Sequence, residues 1–357
     1  MLNERVIKNI WYVAGWLTEF DNPGVHSRLV AQEPIVIFRS AGGDLVALED
    51  RCAHRWAPLS KGRVEGGELR CMYHGVRYAA DGKAVEVPGQ DKIAPGLCVK
   101  AYPVATKHRL LWVWLGDPAI AEITRVPDLG LLDREDVHLN CGSIDYRAHF
   151  SLINDNLLDL SHIAILHENS LGRRVEEVGN EDAPPPVTGG MDARLIEDGV
   201  RFDSWSDLRY RTVIIAKKFR RGEMWNRTDY LVPGLFLAHW RIYPEGTAEA
   251  CDGQEPGPEH EILGESFSIQ AVVPMTRRSS RYFFSLGHGR MDMDPDEAES
   301  IWSIVRNGFV EDLDMIEAQQ RVIDDYPRPY PMAGIAADRG LVMFRNLMNK
   351  LLDAELQ

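Results

Sequence analysis

Cys52-Ala-His54-Arg55-Trp56-Ala57-Pro58 and Cys71-Met-Tyr-His74-Gly75, with sixteen residues between His54 and Cys71, decide how this chain is read. Each pair sits on a turn between β-like stretches, next to rigid or small residues (Pro58, Gly75). A Cys-x-His pair answered by a Cys-x-x-His pair offers two thiolates and two imidazoles. In a [2Fe–2S] centre of mixed ligation, soft thiolates hold one iron and imidazoles the other. A structural zinc site is the competing reading, but its usual opening pair is Cys-x₂₋₄-Cys, whereas both pairs here are mixed. The spacing therefore predicts a cluster held by Cys52, His54, Cys71 and His74.

The rest of the composition bounds the context. With 357 residues, 45% hydrophobic and 26% charged, the chain is long enough for two domains with sizeable cores. A net charge of −14 argues against nucleic acid or an anionic membrane as partner. Of five cysteines, Cys98, Cys141 and Cys251 lie outside the motif, widely spaced and without a disulfide pattern. The N-terminus has no apolar stretch followed by a small-residue cleavage site, and no run of eighteen apolar residues occurs anywhere. A reducing, cytoplasmic setting is expected.

In chain order, short strands are expected at 11–15, 29–31, 35–39 and 45–49, with Gly42-Gly43-Asp44 as a hairpin turn. More follow at 77–79, 84–87 and 99–104, and Leu110-Leu-Trp-Val-Trp-Leu115 reads as a fully buried strand. Residues 1–118 are thus expected to form an all-β domain carrying the cluster, with 119–127 as connection and 119–357 as a second domain. That domain should hold strands at 193–196, 200–205, 212–217, 228–231, 235–243, 265–273 and 281–287, a long helix over 295–325 and a short one over 341–352. Two Pro/Gly-rich acidic stretches, 181–190 and 252–260, read as surface loops, the first near enough to the site to act as a lid.

A second metal signal lies in SLINDNLLDLSHIAILHE, residues 151–168. It contains Asp159, His162 and His167, preceded by Asn156. In a straight helix, positions 159 and 162 differ by about 60°, and 162 and 167 by about 140°. The two imidazoles converge only if the helix loosens, for example at a π-bulge. The alternative is an amphipathic helix with two satisfied polar histidines.

Taken together, CAHR…CMYHG, NDNLLDLSHIAILH and, more weakly, FVEDLDMIEAQQ (309–320) resemble the oxygenase component of Rieske non-heme iron oxygenases, nearest the vanillate and dicamba O-demethylase type. The resemblance covers nearly the whole chain. It implies an α+β protein with an N-terminal all-β Rieske domain. It implies a catalytic domain whose antiparallel sheet wraps a long helix, in the helix-grip manner. It implies that His162, His167 and Asp312 hold a mononuclear Fe(II), with Asp314 one slip away as alternative carboxylate. Asp159 corresponds to the residue that bridges the two metal centres across a subunit boundary, with Asn156 beside the site. The implied assembly is a homotrimer in which one chain's cluster serves its neighbour's iron. Unlike the Rieske proteins of respiratory complexes, neither loop carries a further cysteine.

The chemistry agrees. Two histidines and a carboxylate leave open positions on iron, and O₂ activation there needs electrons delivered singly, which a [2Fe–2S] cluster supplies. No G-x-G-x-x-G or P-loop is present, so NAD(P)H acts only through a separate reductase, with or without a ferredoxin. The expected function is hydroxylation or oxidative demethylation of an aromatic or similar small organic substrate. Ring-cis-dihydroxylation on the same scaffold is the alternative. A Rieske electron carrier or zinc-stabilised module without oxygen chemistry must dismiss the 159–167 set and Asp312 as coincidence. Pocket residues are expected at Leu158, Ile165, Trp240, Gln270, Trp302 and Phe309.

Overall fold

The computed structural model describes residues 5–355 except 172–173, 176–187, 190–192, 209–210, 213–221, 290–293 and 327–332. Residues 4–133 with 273–278 form one unit, and the remainder of the chain the other.

In the N-terminal unit three small sheets share out eleven strands. β1 (Ile10–Trp16) pairs with β11 (Leu110–Leu115), which pairs with β10 (Val104–Lys107). β2 (His26–Val30), β3 (Glu33–Arg39), β4 (Leu45–Glu49) and β9 (Ala101–Tyr102) form the second sheet. β5 (Arg63–Glu65), β6 (Glu68–Arg70), β7 (Arg77–Tyr78) and β8 (Ala84–Glu86) form the third. All six residues of β11 are buried, as their unbroken apolar run predicts. The expected strand over 99–104 is instead split, into β9 and the start of β10, because Pro103 has no N–H for a ladder. β5 and β6 were not foreseen, since each is only three residues long and rich in charge. Between them Gly66 and Gly67 take φ of 61° and 83°, the left-handed pair a two-residue hairpin turn requires.

The second unit is organised by one antiparallel sheet. Its order is β12 (Val137–Tyr146), β21 (Ser279–Gly289), β20 (Gly264–Thr276), β19 (Leu235–Tyr243), β18 (Glu223–Leu231), β16 (Gly199–Asp207) and β14 (Thr188–Gly189), with β15 (Ala193–Ile196) also on β16. A two-residue pair, β13 (Arg174–Val175) with β17 (Arg211–Thr212), stands apart. β17 is all that is described of the strand expected over 212–217, and most of the proposed lid over 181–190 also lies outside the described residues. β12 was not anticipated; its exposed alternate positions, Cys141, Ser143 and Asp145, dilute the hydrophobic pattern.

Among the described residues the α-helices are α1 (Phe150–Leu158), α2 (Ile163–Leu166), α3 (Thr247–Ala250), α4 (Pro295–Asp325) and α5 (Arg339–Ala354). Asp294 caps α4 by accepting from Glu297 N at 2.8 Å, and Pro295 occupies the first turn, where its missing N–H costs nothing. Its buried stripe Ile301, Trp302, Val305, Phe309, Asp312 and Ile316 includes the residues that meet the sheet. Phe309 meets Tyr282 and Phe284 at ring-centroid distances of 5.3 and 4.5 Å, and Trp302 meets Phe284 at 5.5 Å. Farther along, Glu317 accepts from Arg147 N at 2.9 Å and Gln320 accepts from His149 N at 2.9 Å. These bonds hold the helix where β12 ends and α1 begins. The α+β class with a sheet around one long helix is therefore the observed architecture.

Gly287 on β21 tests the packing on the opposite face of the sheet. A Cβ there would overlap three atoms of the fully buried Phe267 ring. Gly287→Ala should destabilise the protein by roughly 1–3 kcal/mol, the usual cost of overpacking a core. A thermal melt read by circular dichroism would check this; an unchanged midpoint would contradict it.

Candidate metal centres

The two cysteine loops are built alike. Cys52 N donates to Ala57 O at 2.8 Å and Trp56 N to Cys52 O at 3.0 Å. In the second loop Cys71 N donates to Val76 O at 2.8 Å and Gly75 N to Cys71 O at 3.0 Å. Each loop turns back through a left-handed residue at the same place, Trp56 with φ 58° and Gly75 with φ 79°. Cys52 and Cys71 are 2% and 1% exposed and pack against Leu59, Leu69, Val76 and Tyr78, while His54 and His74 lie at the surface. The two rings are 4.5 Å apart between centroids. Tyr78 OH lies 3.2 Å from Cys52 Sγ and accepts from Ala53 N at 3.1 Å. Burial pushes the Cys71 thiol up, so a positive partner is needed to hold it as a thiolate. Two buried soft donors with two outward imidazoles beside them fit a [2Fe–2S] cluster of mixed ligation.

The second centre follows from a break in a helix. The segment 151–168 was expected to be one loosened helix. Instead α1 stops at Leu158, and Asp159 takes an extended conformation (φ −125°, ψ 94°). A 3-10 turn, Leu160–His162, and the short α2 follow. Thus the histidines converge through a full interruption and not a π-bulge. His162 and His167 end with ring centroids 5.2 Å apart. Nε2 of His162 lies 3.5 Å, and Nε2 of His167 3.3 Å, from Asp312 Oδ1. Among the described residues, these three offer the group of donor atoms within 4.8 Å of one another that is suited to a metal ion. Asp314, the alternative carboxylate, is exposed.

The far side of each ring fixes its tautomer. His162 Nδ1 donates to the Asp159 backbone carbonyl at 2.6 Å, and His167 Nδ1 donates to Glu311 Oε2 at 2.7 Å. A carbonyl and an ionised carboxylate only accept, so both protons sit on Nδ1 and both Nε2 lone pairs face Asp312. Burial works against charge on His167, but Asp312 and Glu311 outweigh it and raise its pKa by favouring the doubly protonated ring, whose Nε2–H would donate to Asp312. The pocket thus favours a positive charge at this point, and the donor set fits a divalent iron.

Asn154-Asp155-Asn156 anchors the end of α1 in three directions. Asn154 Oδ1 accepts from Tyr230 OH at 2.8 Å, Asp155 is ion-paired with Arg345 of α5, and Asn156 Nδ2 donates to Asp312 Oδ1 at 2.9 Å. Within the chain, the Asp159 carboxylate accepts from Ser161 N at 2.9 Å, capping the 3-10 turn, and its carbonyl holds His162. Glu311 was not foreseen in this role. Ser170 Oγ also donates to it at 2.6 Å, and only folding shows which acid of Glu311-Asp312 faces which nitrogen.

Of the expected pocket residues, Leu158, Gln270, Trp302 and Phe309 are buried. By strand register Trp240 and Gln270 share one face of the sheet with Ala238 and Ser268. Gln270 Oε1 accepts from Tyr282 OH at 2.5 Å. Ile165 is a correction: it is 78% exposed among the described residues, because the break at Asp159 turns α2 away from the line of α1.

Residues 10–103 match the Rieske [2Fe-2S] domain, and residues 146–354 match the vanillate O-demethylase oxygenase C-terminal domain. The chain is 38% identical to the iron–sulfur subunit of a toluene-4-sulfonate monooxygenase system from Comamonas testosteroni, over 98% of each chain. It is 29% identical to a vanillate O-demethylase oxygenase subunit from a Pseudomonas species, over 98% of this chain and 95% of that one. The crystal structure of dicamba monooxygenase bound to dicamba aligns with a TM-score of 0.80 at 25% identity, covering 99% of both chains. The chain belongs to the Rieske non-heme iron oxygenases, as an oxygenase component with a vanillate O-demethylase-type catalytic domain. It is an oxidoreductase of the monooxygenase type, with a [2Fe-2S] cluster and a mononuclear non-heme iron as cofactors.

Two substitutions probe the centres separately. In Gly75→Ala a left-handed φ meets a side chain, and the new Cβ would lie 2.7 Å from Pro88 Cγ. The purified variant should have lost most of its cluster absorbance, and full retention would refute the strain. In Glu311→Ala, His167 loses its orienting acceptor, so Co(II) or Fe(II) affinity at the mononuclear site should fall about 10–100-fold. Glu311→Gln should recover part of it. Metal titration on cluster-replete protein is the check.

Proposed function

We propose that this chain is the terminal oxygenase of a multicomponent system. It takes electrons from NAD(P)H through a separate reductase, with or without a ferredoxin, and hydroxylates or oxidatively demethylates an aromatic or similar small organic substrate. Residues 1–118 carry the cluster on Cys52, His54, Cys71 and His74, and residues 119–357 the iron on His162, His167 and Asp312. The observation that carries the reading is the pair of Nε2 lone pairs turned on Asp312, each held there by an acceptor at Nδ1.

When bound, the cluster supplies single electrons and the iron binds and activates O₂. The chain's own residues do the rest. Glu311 and the Asp159 carbonyl hold the two imidazoles in register, and Asn156 holds Asp312 by its Oδ1. Tyr282, Phe284, Trp302 and Phe309 form an aromatic wall between sheet and helix that keeps water away from an apolar substrate. The free thiols among the described residues and the lack, among them, of any helix long and apolar enough to cross a membrane support a cytoplasmic setting.

The working assembly is a homotrimer in which one chain's cluster feeds its neighbour's iron. Exposed His54 and His74, with Trp56 75% and Tyr73 62% exposed beside them, support a docked cluster tip. Asp159 lies beside His162, and its carboxylate serves as the acceptor for the neighbour's His74.

Asp312→Ala should lose metal from the mononuclear site and all substrate-dependent O₂ uptake, with the visible spectrum of the cluster unchanged. Retained turnover would sink the assignment. Asp159→Asn should keep both metals yet slow single-turnover oxidation of the pre-reduced cluster by an order of magnitude or more. Wild-type rates in that variant would remove Asp159 from the electron path.

A further inference from the structure

Away from both metal centres, the connection 244–263 between β19 and β20 gathers a third group of reactive side chains. Helix α3 is pinned at its start by Glu223 of β18, whose carboxylate accepts from Gly246 N at 3.0 Å and from Ala248 N at 2.6 Å. Cys251 ends the helix, its N–H donating to Thr247 O at 3.0 Å. The chain then loops out, tied to the sheet where Glu255 is ion-paired with Arg227 and Arg241, and returns with His260 beside Cys251. Ala248 and Ile262, close to the pair in sequence, pack with Trp205, Trp225 and Tyr243. Trp225 is paired with Arg241, one position along from Trp240, so this cluster covers the face of the sheet opposite Trp240.

Cys251 Sγ lies 3.5 Å from His260 Nε2. On the other side of the ring Nδ1 is buried and makes no hydrogen bond among the described residues, and Glu259 Oε1 is 3.3 Å from it. An ionised carboxylate only accepts, so it favours the tautomer with the proton on Nδ1, which leaves the Nε2 lone pair for the thiol. Nucleophile, base and orienting acid thus stand in the order that lets a base take the proton of an attacking thiol. The same cluster holds a second buried donor without a partner among the described residues, the indole N–H of Trp225, a residue only 6% exposed. An oxygen added to Sγ would bring an acceptor to this end of the cluster. We propose that Cys251 is a modification site: a nucleophilic thiol, assisted by His260, that reacts with a small hydroperoxide and is oxidised to the sulfenic acid.

The backbone around Cys251 selects this electrophile. The three N–H groups that follow it are already spent, Asp252 on Glu249 O at 3.3 Å, Gly253 on Ala248 O at 2.8 Å and Gln254 on Cys251 O at 2.8 Å. None of the three is left to hold an oxyanion, as acyl transfer would require. Displacement at a peroxide oxygen builds no tetrahedral oxyanion. Cys251 and His260 are each half-buried, which suits a small reagent. With hydrogen peroxide, the thiol proton passes to His260 Nε2, sulfur bonds to one oxygen and the O–O bond breaks. The leaving hydroxide takes the proton back from Nε2 and departs as water. Sulfur is oxidised by two electrons and the peroxide is reduced by two.

The test treats cluster-replete holoenzyme with hydrogen peroxide, traps sulfenic acid with dimedone and reads each cysteine by peptide mass spectrometry. Exposure alone would favour Cys98 and Cys141, which are exposed where Cys251 is half-buried. At about pH 7, wild-type Cys251 should instead be captured about tenfold faster than either. A Cys251 rate no higher than that of Cys98 overturns the proposal without recourse to any variant. His260→Gln should slow Cys251 about tenfold at the same pH and leave Cys98 unchanged. At about pH 9.5, above the range in which an ordinary thiol ionises, the variant should regain the wild-type rate, because no base is then needed. A deficit that persists there would mean that His260 only shapes access to the sulfur, and would overturn its role as base. Turnover at the iron does not enter the readout, so the result stands apart from the oxygenase reading.

Discussion

The interruption at Asp159 is the constraint from which the rest of the catalytic unit follows. A helix continued through that point would send His162 and His167 in directions about 140° apart. By leaving helical geometry for one residue, the chain frees the Asp159 carbonyl from the ladder and spends it on His162 Nδ1. That one bond turns Nε2 inward. The same break exposes Ile165 and lets α2 bring His167 back toward α4. An interrupted helix tends to fray, and the neighbouring Asn154-Asp155-Asn156 answers this by tying the last turn of α1 to the sheet, to α5 and to Asp312.

A second balance concerns charge. Asp312 is buried with two imidazoles facing it, and Glu311 stands behind one of them. A cation among them would offset the buried Asp312 carboxylate, since an unpaired buried charge is expensive. Raised proton affinity at His167 is the same demand expressed without metal. In the cluster loops the asymmetry is one of solvent: sulfurs inside, imidazoles outside. That arrangement isolates the soft donors while leaving the histidines able to meet another protein surface, which a component of an electron-transfer chain requires.

The sheet and the long helix serve both ends of this chemistry. The helix is held at its C-terminal half by Glu317 and Gln320 and packed through Trp302 and Phe309, so Asp312 is fixed from both sides. The opposite face of the sheet is as closely packed: at Gly287 the ring of Phe267 leaves no room for a methyl group.

Much of this was legible in the residues. The mixed Cys/His pairs named the cluster, because thiolate and imidazole at those spacings have few other uses. β11, β4 and β19 and the whole of α4 matched their expected bounds, because each has an unbroken apolar run or a capped periodic stripe. β12, β5 and β6 were not legible, since short or half-exposed strands carry little pattern of their own and form only because a neighbour supplies the ladder. Sequence also put His162, His167 and Asp312 on one short list without saying how they meet. Which backbone carbonyl or acid holds each imidazole, whether Asp312 or Asp314 faces inward, and which polar atoms of the sheet are left without partners depend on contacts between residues up to 156 positions apart. Residue type and local spacing decide what chemistry a chain can offer. Only long-range packing, which sets direction and burial, decides which atoms offer it.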